Sequence, residues 1–148
     1  MIELRDVTPE NHHEVRALSV HPNQAKFVAS VDSSLADAFV WEDALVKAGY
    51  HEGEAFGFVM IFPFEQDRIP IVNIVRIMVD ATRQRQGLGR MLLSETLRWI
   101  RTTDAQRVRI STLSENAVAL SLYKEFGFVE SGIEDGEIAM YLNLPGVA

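Results

Sequence analysis

Apolar residues recur along the chain at two spacings, which separate predicted strands from predicted helices. Runs that are rich in β-branched residues or that alternate with polar ones predict strands at 1–7, 44–51, 55–64, 71–79, 107–113, from 128 onward and at 138–144. Apolar residues at helical spacing predict helices over 9–19, 33–43, 88–101 and 116–126. Thr8 followed by Pro9 is expected to start the first helix, and Ser33 to cap the second.

Length and composition set the outer bounds of the prediction. A chain of 148 residues with 47% hydrophobic content is expected to form one domain, spanning 1–148, with a full core. The absence of cysteine excludes disulfides, thiolate metal sites and a cysteine nucleophile, and we expect no bound metal. Charged residues interrupt the N-terminus, and the apolar runs are far shorter than the roughly 20 residues that span a bilayer. We therefore expect a cytoplasmic protein with no membrane contact.

Charge is distributed unevenly along the chain. Residues 76–109 include eight of the fourteen basic residues and three acidic ones, which gives this segment a net charge of +5 within a chain of net charge −7. The remaining residues are strongly acidic, so they would repel nucleic acid and attract cations. We expect no nucleic-acid partner and predict that the basic segment binds an anion.

A glycine-containing turn joins the predicted strand at 71–79 to the predicted helix at 88–101. Gly87 and Gly89 allow the backbone to turn tightly and to approach a ligand, and the first amides of the helix lack an intrahelical acceptor. Such a turn suits phosphate. The spacing excludes a Walker loop, and Leu92 stands where a dinucleotide fingerprint requires its third glycine.

Two motifs in this chain resemble those of the GNAT family of N-acetyltransferases. The first is Gln84-x-x-Gly87-x-Gly89, similar to the family's acetyl-CoA motif Arg/Gln-x-x-Gly-x-Gly/Ala. The second runs from Asn116 to Phe128 and resembles Asn-x-x-Ala-x-x-Leu-Tyr-x-x-x-Gly-Phe, about thirty residues further on. The resemblance covers nearly the whole chain. It implies an α/β (α+β) GNAT fold, with a central mixed, mostly antiparallel sheet of six to seven strands flanked by about four helices.

Shorter segments are similar to bacterial spermine/spermidine (diamine) N-acetyltransferases, among them Arg76-Ile77-Met78-Val79-Asp80 and Asp135-Gly136-Glu137. This resemblance implies that acetyl-CoA donates an acetyl group to a primary amine of a small molecule, such as spermidine or spermine. Three alternatives stay open: a protein or peptide amine, another small amine, and a CoA-binding regulatory module without catalysis. A homodimer stays open beside a monomer.

The resemblance also assigns roles to individual residues. The family pattern implies that the backbone of Ile77, Met78 and Val79 pairs with pantetheine, and that Asn116 bonds the same arm. The pyrophosphate loop would comprise Gln84, Arg85, Gln86, Gly87, Leu88, Gly89 and Arg90. Tyr123 would protonate the departing thiolate, and it shares a helical face with Asn116. The alternatives are a helix cap at Asn116 and a packing aromatic at Tyr123.

The general base is not evident from the sequence. Some members of the wider family carry a glutamate on the strand before the glycine turn, which acts through water, but residues 73–77 include no carboxylate. The amine could instead lose its proton to a chain of waters, at about 1.4 kcal/mol per pH unit below its pKa. Four acidic residues are candidates to hold the positive charges of the substrate, with solvated surface positions as the alternative: Asp80, Glu134, Asp135 and Glu137.

Overall fold

The computed structural model describes residues 1–145, which form a seven-stranded sheet with four α-helices. The strands are β1 (Ile2–Asp6), β2 (Leu45–His51), β3 (Glu54–Gln66), β4 (Ile69–Val79), β5 (Arg107–Thr112), β6 (Val129–Glu134) and β7 (Glu137–Asn143). The helices are α1 (His12–Arg16), α2 (Val31–Val40), α3 (Leu88–Ile100) and α4 (Ala117–Glu125). The predicted numbers of strands and helices are confirmed for this part of the chain.

The strand order is β1-β2-β3-β4-β5-β7-β6. All neighbouring strands are antiparallel except β4 and β5, which are parallel. Parallel neighbours require a crossover connection, and α3 provides it. The predicted mixed and mostly antiparallel sheet is therefore confirmed.

Alternate residues of β3 divide the core between the two faces of the sheet. Phe58 and Met60 belong to an apolar cluster with Val15 of α1 and Val31 of α2. Val59 and Ile61 belong to a second cluster, which includes residues of α3 and α4. Because successive strand side chains point to opposite faces, the middle of β3, residues 56–61, is buried between two layers of helix.

The first helix is shorter than predicted. It starts at His12 because the Asn11 side chain folds back, accepting a hydrogen bond from the Thr8 amide (2.7 Å) and donating one to the Asp6 carbonyl (2.9 Å). Residues 9–11 therefore form a turn. The helix also ends early, at Arg16, since the Ser19 amide donates to the Asp80 carboxylate at 2.8 Å.

The second helix begins before the predicted serine. Its N-cap is Ser30, whose hydroxyl accepts from the Ser33 amide, and the Ser34 hydroxyl donates back to the Ser30 carbonyl at 2.7 Å. The predicted cap at Ser33 is wrong, because Ser33 lies within the first turn of the helix and its amide is itself capped by Ser30.

The predicted polar loop after residue 64 is instead the end of a hairpin. The β3 and β4 strands remain paired out to Gln66 and Ile69, and only Asp67 and Arg68 form the turn. Both turn residues have positive φ, at 52° and 67°. Two-residue hairpin turns of this hand match the twist of the strands.

None of the helices within residues 1–145 is both long enough and apolar enough to cross a lipid bilayer.

Candidate active site

A cleft opens where β4 and β5 separate. These strands are paired from Ile71 and Arg107 to Ile74 and Ile110, and their pairing ends there. The register between β3 and β4 shifts at the same place, so that Val75 is an extra residue on β4. A bulge of this kind bends its strand, and it coincides with the point of separation.

The cleft has a volume of about 970 Å³ and contains residues from β4, β5, α4 and the segment around Pro22. Beyond Ile74, the β5 side of β4 lacks a strand partner among residues 1–145. Unpaired backbone groups of a strand can bind an extended ligand. Of the predicted site residues, eight line the cleft: Ile77, Met78, Val79, Gln84, Arg85, Gly89, Asn116 and Tyr123.

The glycine turn lies at one end of this cleft. Gly87 is the N-cap of α3 and has a φ of 79°, a left-handed conformation that costs an L-residue roughly 1–2 kcal/mol. The first helical bond at this end joins the Met91 amide to the Gly87 carbonyl (3.2 Å), so the amides of residues 88–90 have no helical acceptor. A Cβ on Gly89 would meet only Val79 Cγ2, at an ordinary 3.8 Å. The turn thus presents free donors with open space in front of them.

Gln84 connects the glycine turn to two other segments. Its side-chain nitrogen donates to the Val79 carbonyl at 3.0 Å and to Gln24 Oε1 at 2.9 Å, and Gln24 Nε2 donates back at 3.1 Å. The amide of Gln84 therefore fixes the turn relative to the end of β4 and the 3-10 turn Pro22–Gln24. The sequence spacing gave no sign of this pairing across sixty residues.

The remaining residues of the predicted loop do not line the cleft. Gln86 is exposed, and the Leu88 side chain is buried in the core beneath the turn. Arg90 forms an ion pair with Glu125 of α4 at 2.6 Å. Leu88 and Arg90 thus offer their backbone amides, and not their side chains, to an anion at the turn.

Tyr123 forms part of the cleft wall. Its side chain is 7% exposed and its ring lies 6.0 Å from that of Phe128. Burial, followed by the nearby negative charge of Glu137, raises the pKa of Tyr123 to about 12. Its hydroxyl has no hydrogen-bond partner among residues 1–145. The phenol is therefore protonated at neutral pH.

Asn116 has structural contacts as well as a place in the cleft. It is the N-cap of α4, accepting from the Ala119 amide at 3.4 Å and donating to the Thr112 hydroxyl at 3.1 Å. The helix cap, which was the alternative for Asn116, is present, and its bond to the pantetheine arm stays a prediction. The side chain connects the end of β5 to the start of α4, which carries Tyr123.

The four acidic candidates lie in different surroundings. Asp80 caps the 3-10 turn Ala81–Arg83; partial burial alone would raise its pKa, but hydrogen bonds from Thr82 and the Ser19 amide lower the pKa overall. Glu134 is ion-paired with Arg109 at 3.0 Å. Asp135 lies in an exposed turn. Glu137 lines a second cavity that adjoins the cleft, whereas the other three line neither the cleft nor that cavity.

Arg76 lines the cleft but had no predicted role. Its guanidinium donates to Asp37 at 3.3 Å and to the Val75 carbonyl at 3.1 Å, whereas its buried Nε has no partner among residues 1–145. In the sequence, only the position of this basic residue within an apolar strand could have indicated that it lines the cleft.

Within residues 1–145, no three His, Cys, Asp or Glu side chains form a group that could hold a metal ion.

The chain is similar in sequence to known acetyltransferases. A family model described as "Acetyltransferase (GNAT) family" matches residues 24–128. A spermine/spermidine N(1)-acetyltransferase from Bacillus subtilis (strain 168) is 29% identical over 150 residues, covering 97% of this chain and 99% of the relative. A [ribosomal protein bS18]-alanine N-acetyltransferase from Escherichia coli (strain K12) is 28% identical over 106 residues, covering 66% of this chain and 70% of the relative.

A solved structure has a similar fold. The PaiA N-acetyltransferase from Thermoplasma acidophilum in complex with coenzyme A superposes with a TM-score of 0.73, covering 97% of this chain and 99% of that one, at 14% identity.

Proposed function

Because the chain belongs to the acetyltransferase (GNAT) family, we propose that it acetylates a primary amine of a small polyamine or diamine, such as spermidine or spermine. The coarser activity follows from the family: the protein is an acyltransferase, and acetyl-CoA is its co-substrate. The identity of the amine and the roles of individual residues are the proposal.

One observation carries the residue roles. The cleft contains the free end of β4, the glycine turn and the unbonded Tyr123 hydroxyl. The free amides after Gly87 would hold the pyrophosphate, and the unpaired backbone from Ile77 to Val79 would bind the pantetheine arm and polarise the thioester carbonyl. Asn116 would bond the same arm. Acetyl-CoA supplies the activated acetyl group when bound.

Tyr123 would act as the general acid. When the amine nitrogen forms a bond to the acetyl carbon and the carbon–sulfur bond breaks, the sulfur needs a proton. A phenol with a pKa of about 12 keeps its proton over the whole working range of pH. Its placement in the cleft wall without another acceptor supports donation to sulfur.

Two observations support a polyamine as the acceptor. The Bacillus relative is named for spermine and spermidine and aligns over nearly the whole of both chains. The chain outside residues 76–109 is also strongly acidic, which favours a polycation. A protein α-amine is the runner-up, since the Escherichia coli relative acts on a ribosomal protein. A module without catalysis is disfavoured because Tyr123 is present in the cleft.

We also propose a single domain over 1–148, a cytoplasmic location, and a homodimer as the assembly to test. An exposed apolar patch supports self-association: Phe39 is 90% exposed and Val40 is 73% exposed, and Trp41 and Leu45 lie beside them in sequence. Sedimentation velocity of the wild type and of Phe39→Ser would measure this. A monomer at high concentration would exclude the dimer.

The test of function is a thiol-release assay with acetyl-CoA. Spermidine, spermine, small diamines, aminoglycosides and a peptide with a free N-terminus would be compared at equal concentration, with mass spectrometry of the products. We expect the largest kcat/KM for a polyamine or diamine. A higher value for the peptide would favour the runner-up, and absence of thiol release with every amine would contradict the proposed function.

A further inference from the structure

A second cavity of about 470 Å³ adjoins the cleft on the side away from the glycine turn. The two share residues of β4 and β5, including Ile74, Arg76 and Ser111. Glu137, Lys26 and Asn73 line only the second cavity. A molecule in this cavity would therefore approach the place where β4 and β5 separate from the side opposite to the glycine turn.

The charges around the second cavity are unequally paired. Lys26 forms an ion pair with Glu115 at 2.9 Å, and Arg76 forms one with Asp37 at 3.3 Å. Glu137 has no cation within 4.0 Å among residues 1–145, so it is the lining charge that remains uncompensated there. A cationic ligand would find its counter-charge at this carboxylate.

Glu137 is held in a defined position by β5. It is the first residue of β7, and its Oε1 accepts a hydrogen bond from the Ser111 hydroxyl at 2.7 Å. Ser111 itself lines both the cleft and the second cavity. The charge of Glu137 is also felt by Tyr123, whose pKa it raises after the larger effect of burial. The carboxylate thus lies near the proposed proton donor.

The other acidic candidates do not meet these conditions. The Glu134 carboxylate is occupied by two guanidinium nitrogens of Arg109, at 3.0 and 3.2 Å. Asp80 is occupied by Thr82 and Ser19. Within residues 1–145, Glu137 combines a cavity position, a single neutral hydrogen-bond donor and the absence of an opposing charge.

We propose that Glu137, positioned by Ser111, binds the ammonium group of the acceptor and removes its proton before acyl transfer. This inference rests on the proposed function and supplies the base that β4 lacks. The proton passes from the ammonium nitrogen to the Glu137 carboxylate, directly or through one water. The lone pair then forms the bond to the acetyl carbon, and the carbon–sulfur bond breaks as Tyr123 protonates the sulfur.

The protons balance over the turnover. The nitrogen loses a second proton to solvent as the amide forms, Glu137 releases its proton to solvent, and Tyr123 regains one from solvent. An ammonium and acetyl-CoA thus give an amide, a thiol and one released proton. Ser111 acts through Glu137 and is a positioning residue.

The experiment compares Glu137→Gln with the wild type, using spermidine and acetyl-CoA. At pH 7.5 we expect kcat/KM to fall by about 10² or more, in the range typical of a lost general base. Because the unprotonated fraction of an amine rises tenfold per pH unit below its pKa, the deficit should shrink as the pH is raised towards 10. Spermidine binding by calorimetry, without acetyl-CoA, should weaken as well.

Lys26 and Arg76 are the other charged residues that line this cavity, and the charge of Glu137 also acts on Tyr123 of α4. Because these groups are present in both proteins, comparing Glu137→Gln with the wild type over the same pH series cancels their contribution to the pH dependence of kcat/KM. Ser111→Ala should show a smaller loss, and Ser111→Thr, which keeps a hydroxyl, should restore most of it.

Glu130→Gln is the matched control, since it removes a carboxylate of β6 that is exposed and ion-paired with Lys124 at 2.8 Å. It should leave kcat/KM within about twofold. If Glu137→Gln keeps wild-type kcat/KM, or if its deficit is constant from pH 7.5 to 10, the assignment of the base is overturned. If the wild type itself releases no thiol with any amine, the proposed function fails, whatever the variants do.

Discussion

Ile74 of β4 and Ile110 of β5 are the last residues that face each other across the parallel pair of the sheet. Beyond them, β4 continues beside β3 as far as Val79, and β5 continues beside β7. The cleft is therefore formed by the backbone. The two strands are hydrogen-bonded to each other at one end, and at the other end each is hydrogen-bonded only to its outer neighbour, β3 or β7.

The glycine turn gives the first prediction. Gly89→Val should raise the KM for acetyl-CoA by tenfold or more, because the added methyl groups would project into the open space before the free amides of α3. The same change should hardly alter the melting temperature, since a Cβ at this position meets the protein at an ordinary distance. Steady-state kinetics and differential scanning calorimetry would measure the two effects.

Gly89→Ala is the control for that prediction, because the family motif accepts alanine at this position. Gly87→Ala should behave differently and lower stability by roughly 1–2 kcal/mol through its positive φ. Unchanged affinity for acetyl-CoA in Gly89→Val would remove the pyrophosphate assignment.

The sequence predicted most of the fold because its elements have strong local patterns. Buried leucines at positions 88, 92, 93 and 97 of α3 repeat at helical spacing, and Gly87 marks the start of that helix. The cap of α2 was predicted less well. It is Ser30, and the next residue, Val31, is buried in the core, which the local sequence does not reveal.

The candidate site was predictable only where it consists of contiguous motifs. The glycine turn and the Asn116 to Phe128 motif could be identified from spacing alone. The contact of Ser111 with Glu137 could not, because it depends on β7 inserting between β5 and β6 in the sheet. The bulge at Val75, which coincides with the opening of the cleft, likewise depends on the β3–β4 register.

Asp80 gives a prediction that separates a structural role from a substrate role. Asp80→Ala should lower the free energy of unfolding by about 0.5–2 kcal/mol, the usual range for a lost cap. Because the pKa of Asp80 is lowered in the folded state, its contribution is present above the unfolded pKa and is lost as the pH falls through the folded pKa. Urea unfolding at pH 7 and at acidic pH would show this. Weaker spermidine binding without loss of stability would support the substrate role instead.

Salt should weaken the binding of a polycationic substrate. If the acidic surface and Glu137 attract spermidine, its KM should rise severalfold between about 0.05 and 0.5 M NaCl, because the Debye length falls below 10 Å over this range. A monoamine of similar length is the control and should respond less. Kinetics with spermidine that are independent of salt would count against electrostatic recognition.

The buried phenol predicts a loss of stability at alkaline pH. The pKa of Tyr123 is about 12 in the folded state and about 10 in an unfolded chain, so the unfolded state loses its proton first as the pH rises. The free energy of unfolding should therefore fall by up to about 3 kcal/mol between pH 10 and 12, and this loss should be absent in Tyr123→Phe. The pKa of Tyr50 is also raised, by burial and by its hydrogen bond to Glu14, so only the difference between the two proteins reports on Tyr123.

Tyr123→Phe should lower kcat by the 10²–10⁴ typical of a lost general acid, or by less if water replaces the hydroxyl. The fold and the KM for acetyl-CoA should persist, because the hydroxyl has no partner to lose within residues 1–145 and the ring keeps its packing against Phe128. The CoA thiol has a pKa near that of free cysteine, about 8.5, so above this pH the departing thiolate needs no general acid. The difference in rate between Tyr123→Phe and the wild type should therefore become smaller as the pH is raised. Single-turnover kinetics from pH 7 to 9.5 would measure the chemical step directly. Equal chemical rates for Tyr123→Phe and the wild type at pH 7 would make Tyr123 a packing residue only.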